Sequence, residues 1–311
     1  MVDTARKKRR LRPAFVAISL ATALTGITAC TDANPPAAGK PAGAARPTAS
    51  SRPSAPSVHM IANGDHNLAF NVVPGRLPAV VLDAGGGEDS SYWTKLAPVL
   101  AQKTGSMVVT YDRAGLGKSD EVPGPWKVEN AVSDLEAGLT KLGITRDVVL
   151  VSHSQAGEVA TYFAKKNPEW AAGAVLVDAS LPDFYTDAET ARIEAANKAQ
   201  IAALKDQPST KQTRQLQATA AEYGPMHRAY HKVSWPQSIP ATAIVSAKTP
   251  FETPEDARLW RDAQQRFVNA APNRDLVTAE RSSHDIAGDR PDVIIEAVAK
   301  MLTMSPRGQA G

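Results

Sequence analysis

The sequence predicts an α/β protein: a mostly parallel central sheet with helices on both faces and a helical cap inserted over the strand ends. Three observations predict it. Short apolar runs rich in Val alternate with longer amphipathic stretches through most of the chain. The runs lack the in-out alternation of a half-exposed strand, so both of their faces must be covered. One stretch, about 181–236, breaks the rhythm: it is rich in helix-forming Ala, Glu, Lys and Gln and carries no strand run.

Not all of the 311 residues suit a folded body. In 1–29, Arg6, Lys7, Lys8, Arg9, Arg10 and Arg12 precede the apolar run Ala14 to Ala29. That run is about 16 residues long, which suits a signal-peptide core better than a membrane span of about 20. In 30–57, Cys30 is followed by a Pro-, Ala-, Gly- and Ser-rich segment that reads as a tether. Cys30 is the only cysteine, so it forms no internal disulfide. Residues 58–311 are long enough for one large α/β domain. A hydrophobic content of 43% excludes a disordered chain. The formal charge of +3 comes from the extreme N-terminus, and the body is near neutral. Nothing electrostatic therefore points to nucleic acid as a partner.

The elements follow in order. His59 to Val73 holds two short runs around Asn63-Gly64, a hairpin signal. Ala79 to Leu82 is a buried strand, Trp93 to Gln102 a helix and Ser106 to Tyr111 a strand. Asn130 to Leu142 spaces Val132, Leu135, Leu139 and Leu142 as a helix, which Gly143 stops. Asp147 to Val151 is a strand, Ala156 to Lys166 a helix and Ala174 to Val177 a strand. After the cap come Ala243 to Val245, Glu255 to Ala270, Leu276 to Ala279 and Pro291 to Leu302, as strand, helix, strand and helix. In such sheets ligands sit beyond the carboxyl ends of the strands.

At one such end stands Ser152-His153-Ser154-Gln155-Ala156-Gly157. A strand, a tight turn with a central Ser and a helix make the nucleophile-elbow layout, with Ser152 and Ala156 where small residues are needed. The bland alternative is a helix N-cap. Two other strand ends carry unusual loops: Asp83-Ala84-Gly85-Gly86-Gly87, and Asp112-Arg113-Ala114-Gly115-Leu116-Gly117-Lys118-Ser119. The Gly-rich loop lacks the Lys-Ser/Thr of a phosphate-binding P-loop. No metal-ligand cluster and no cofactor motif is present, so no cofactor is expected.

With these loops, the elbow and a late His in order, residues 58–304 resemble the α/β-hydrolase superfamily. The resemblance implies a serine hydrolase acting through an acyl-enzyme on a small-molecule carboxylic ester, with amide and thioester bonds also open. It implies Ser154 as nucleophile and His284 as base, His153 being the rival. Backbone amides of Gln155 and Gly86 would form the oxyanion hole, with Gly85 or Gly87 as other registers for the loop. The usual position for the acid, after Ala243 to Val245, holds no Asp. Asp178 takes the family's alternative position, and an acid ending an apolar strand is costly unless paired. Glu252 is the second choice. Arg113, Gly115 and Gly117 would be structural. The other reading is a non-catalytic surface lipoprotein that keeps the fold and binds a small ligand or partner.

Ile27-Thr28-Ala29-Cys30 resembles the lipobox of bacterial lipoproteins. It implies cleavage before Cys30, diacylglyceryl attachment to its sulfur and an extracytoplasmic body held on the bacterial cell membrane by its acyl chains. An uncleaved signal anchor would also put the body outside the cytoplasm.

Overall fold

A computed structural model describes residues 56–204 and 208–304. The signal segment 1–29, Cys30 and the tether up to residue 55 lie outside the described residues.

The chain opens on a hairpin. β1 (Ser57–Asn63) and β2 (His66–Val73) pair antiparallel, and Gly64 at the turn has φ +65°, a conformation glycine adopts without strain. Strand and helix then alternate: β3 (Arg76–Asp83), α1 (Leu96–Thr104), β4 (Ser106–Tyr111), α2 (Val128–Lys141), β5 (Val148–His153), α3 (Ala156–Lys166) and β6 (Ala171–Val177). Three helices form the cap: α4 (Asp187–Leu204), α5 (Lys211–Ala221) and α6 (Tyr223–Tyr230). The chain returns through β7 (Ala241–Ser246), α7 (Pro254–Asn269), β8 (Arg274–Ala279), the short α8 (Ile286–Asp289) and α9 (Pro291–Met304).

One expected helix is divided. Where the periodicity predicts a helix from Trp93, the structure has a 3₁₀ turn at Ser90–Trp93, and α1 starts only at Leu96. Asp89 caps that turn by accepting from the Ser91 amide, and Trp93 is fully buried. The side chain is drawn into the core at the turn rather than onto the face of a helix.

Among the described residues the sheet has eight strands, in the order β1-β2-β4-β3-β5-β6-β7-β8. β2 is antiparallel to β1 and β4, and every other pair is parallel. Strand residues sort by parity into two cores. Val81, Leu150 and Leu176 join α2 and α3 on one face, while Val80, Val151 and Val175 join α1 and α9 on the other. This double coverage explains why the strands read as continuous apolar runs. The chain leaves β3 toward β4 on one side and later leaves β5 toward β6 on the other. The strand order therefore reverses between β3 and β5, and the loops after those two strands flank the natural crevice.

Candidate active site

The elbow forms where β5 ends. Ser154 has φ +52°, a left-handed conformation that costs a non-glycine residue about 1–2 kcal/mol. Neighbouring backbone holds it there. Its amide donates to Val177 O at 3.1 Å, and its carbonyl accepts from Gly157 N at 3.0 Å and Ser180 N at 2.8 Å. Gly157 leaves no room for a side chain: a Cβ there would stand 2.4 Å from Ser180 O. Ser152 and Ala156 are both buried and small enough for the crossing.

The Ser154 hydroxyl donates to Nε2 of His284 at 2.9 Å, and Nδ1 of His284 lies 2.7 Å from Oδ2 of Asp178. The carboxylate only accepts, so Nδ1 carries the proton and Nε2 is left to receive one. Asp178 is fully buried at the end of β6, and its φ of +41° turns the chain toward the cap. Two further groups fix it: Trp260 Nε1 donates to Oδ1 at 2.8 Å and Ser246 Oγ donates to Oδ2 at 2.5 Å. Burial pushes its carboxyl up, but His284, Ser246 and Trp260 together hold it below the usual carboxylate range. The second choice, Glu252, is not the partner of His284 Nδ1. Three side chains far apart in sequence thus form a relay whose base can accept the hydroxyl proton.

The Gly-rich loop passes directly over the elbow. A Cβ on Gly85 would lie 3.3 Å from Ser154 Cβ, and one on Gly86 would lie 2.8 Å from Gln155 Oε1. The Gly85 amide is already used: it donates to Glu88 Oε2 at 3.0 Å. That favours Gly86 over Gly85 as the loop's donor toward Ser154. Gln155 opens α3, where first-turn amides have no intrahelical acceptor. Arg113 is buried and donates to Asp83 Oδ1 at 2.8 Å, to Ala84 O at 2.7 Å and to Gly85 O. It ties down the loop's carbonyls, which bears on the direction of its amides. Gly117 packs against Asp112, which accepts from the amides of Ser90 and Lys118.

The Ser154 hydroxyl is hydrogen-bonded to His284 and not to His153. Nε2 of His153 donates to the His284 carbonyl at 3.1 Å, and its ring is sandwiched between Tyr92, at 4.7 Å, and His284, at 4.6 Å. Glu88 stands 3.3 Å from its Nδ1. Burial pushes the Glu88 carboxyl up, but His153 and the Gly85 amide bring it below its ordinary value. Sequence reasoning missed Glu88 and the buried pair Glu158–His227, 3.0 Å apart, because each joins residues on different elements. An acid within the Gly-rich loop was the available signal for the first.

A cavity of about 170 Å³ lies over Ser154 and His284, closed on the cap side by Leu216 of α5 and Tyr223 of α6. Among the described residues no cluster of His, Cys, Asp or Glu is arranged to hold a metal ion. What the site offers chemically is a hydroxyl beside a base, with backbone amides nearby and a part-apolar chamber above.

Known proteins resemble the chain over the same region. It is 27% identical to a putative carbamate hydrolase, RutD, of Caulobacter segnis, over 73% of this chain and 84% of that one. It is 24% identical to the uncharacterized protein YqjL of Bacillus subtilis, over 70% and 81%. A thermophilic esterase from Thermogutta terrifontis superposes with a TM-score of 0.56 at 19% identity, covering 80% of this chain and 98% of that one. A bromoperoxidase from Bacillus anthracis gives 0.58 at 17%, covering 80% and 100%. Those two likenesses speak to the fold. The model of the alpha/beta hydrolase family matches residues 80–297, the span from the Gly-rich strand to the last helix, and the chain belongs to that family.

Proposed function

We propose that the protein is a serine hydrolase that cleaves carboxylic esters through an acyl-enzyme. The observation that carries this is the relay from Ser154 Oγ through His284 to buried Asp178, at 2.9 and 2.7 Å. In this reading His284 Nε2 takes the hydroxyl proton as Oγ attacks the acyl carbon. The oxyanion is met by the amides of Gly86 and Gln155; losing one such donor costs roughly 10²–10³ in rate. His284 then gives its proton to the leaving alkoxide, and a water repeats the sequence in reverse to free the acid. Asp178 keeps the imidazole in the required tautomer and offsets the charge it gains. The relative described as a putative carbamate hydrolase agrees with hydrolysis of an acyl bond.

The test is labelling of the body by a fluorophosphonate, with Ser154→Ala as control, beside turnover of a short-chain p-nitrophenyl ester. Labelling and turnover that both vanish in the variant are expected. A wild-type protein that neither labels nor turns over would favour the ligand-binding alternative.

The same proposal places the enzyme outside the cytoplasm, on the bacterial membrane through lipidated Cys30. Cys30→Ala is expected to release the protein to the medium or leave its precursor unprocessed. Unchanged processing and membrane retention would overturn the anchor.

A further inference from the structure

The chamber over Ser154 has a polar wall that the relay does not use. Glu158 lies four residues past Ser154, in the first turn of α3. It is 1% exposed. Its Oε1 is 3.0 Å from Nε2 of His227 on α6, and its Oε2 is buried with no hydrogen-bond partner. His227 Nδ1 stands 2.7 Å from the Tyr223 carbonyl, so Nδ1 must carry a proton. One further proton then lies between Nε2 and Oε1, whichever atom owns it. Oε2 is an acceptor in either case, and burial without a donor makes it costly.

Two more features share that wall. Asn197 of α4 is buried and lines the chamber, and its amide oxygen also has no partner. Glu88, Glu158 and Glu194 also line the chamber, each beside a basic group: His153 at 3.3 Å, His227 at 3.0 Å and Arg228 at 3.7 Å. The rings of Tyr185 and Tyr223 lie 4.0 Å from His227 and line the same space. Two unpaired acceptors and aromatic rings together suit a cation that donates hydrogen bonds.

The geometry points to a substrate-recognition subsite for a primary ammonium group, held at Glu158 Oε2 and Asn197 Oδ1, on an ester whose carbonyl rests at Ser154. This inference rests on Ser154 being the nucleophile. With the carbonyl at the elbow and Glu158 in the first turn of α3, the two ends call for a chain of several bonds between the carbonyl and the nitrogen. An anionic chain end is disfavoured in the same place.

The test compares three methyl esters of similar chain length: 6-aminohexanoate, its neutral isostere heptanoate, and the monoester of adipate. A matching pair on the alcohol side, 5-aminopentyl and hexyl acetate, shows which side of the ester carries the cation. In one of these sets kcat/KM for the ammonium ester is expected to exceed its neutral isostere by about tenfold or more, the adipate monoester being slowest. Glu158→Gln is expected to pull that ratio toward one. A neutral ester preferred in both sets overturns the subsite and leaves the hydrolase standing. A second measurement does not depend on catalysis: titration calorimetry of n-pentylammonium and of 1-pentanol on Ser154→Ala protein. Tighter binding of the ammonium by about tenfold supports the subsite even if no ester is cleaved. Equal or weaker binding overturns it whatever the esters do.

Discussion

Replacing Asp178 by Asn tests the relay at the point where the structure constrains it most. Every group around this carboxylate is a donor: His284 Nδ1 and Ser246 Oγ at Oδ2, and Trp260 Nε1 and Ser246 N at Oδ1. An Asn must turn its NH₂ toward one of these pairs. Toward Trp260 and the Ser246 amide it meets two donors that cannot become acceptors, at about 1–3 kcal/mol for each one left unpaired. Toward His284 and Ser246 Oγ the conflict can be relieved. The Ser246 hydroxyl already lies 2.9 Å from Lys248 O and can donate there while accepting from Asn. The imidazole can move its proton to Nε2. That tautomer presents N–H to Ser154 and cannot take its proton. The expected result is a folded enzyme whose kcat falls by about 10⁴, the loss this change causes in Ser-His-Asp proteases. In energy that is about 5.5 kcal/mol of activation barrier. Initial rates on a p-nitrophenyl ester, with thermal unfolding to establish folding, measure it. A loss smaller than about tenfold in a folded variant, or a crippling loss from Glu252→Gln instead, would refute the assignment of Asp178.

Three further outcomes are expected. Ser154→Gly removes both the hydroxyl and the left-handed strain at φ +52°, so activity should vanish while stability rises by about 1 kcal/mol, or about 2–4 °C in Tm; an unchanged or lower Tm would show that the elbow stores no strain. Arg113→Met leaves Asp83 buried without its charged partner, which should cost about 3–5 kcal/mol at neutral pH. Burial already raises the Asp83 carboxyl despite Arg113, so stability of that variant should recover as pH falls and the carboxyl protonates; a pH-independent deficit in denaturant titrations would contradict this. The Asp178 carboxyl is lowered in the folded state, because its partners outweigh burial. Its contribution is therefore complete above the unfolded carboxylate value, about 3.9, and is lost as pH falls through the lower folded value. The Tm gap between wild type and Asp178→Asn should stay flat down to about pH 5 and narrow below about pH 4; a gap that closes near neutrality would be the contrary result.

The fold was legible because its strands are covered on both faces. Runs such as Val148 to Val151 alternate between two cores, so nearly every residue in them is apolar. Ser154 was legible as a residue at a strand end, and His284 as the late His that the family resemblance implies. Asp178 was legible as an acid where a buried strand stops. The register of the Gly-rich loop was not, because nothing in three successive glycines says that Glu88 occupies the Gly85 amide. Glu158 was not legible either. On α3 it has the spacing of an ordinary polar helix residue, and its burial depends on α6 arriving from 69 positions downstream. Composition predicts the cap, but nothing in its sequence says which of its side chains point down.

The cap is a single excursion between β6 and β7, two strands that are neighbours in the sheet. Its two ends therefore enter and leave at one seam, and the hydrogen-bond ladder below runs on without it. Such a unit invites replacement, whether by recombination or at the bench, with Ser154, His284 and Asp178 staying behind on the scaffold. Glu158 stays behind too. A transplanted cap that brought no donor in place of His227 would strand a carboxylate in the middle of the molecule, so new specificity is open only to lids that answer that one residue.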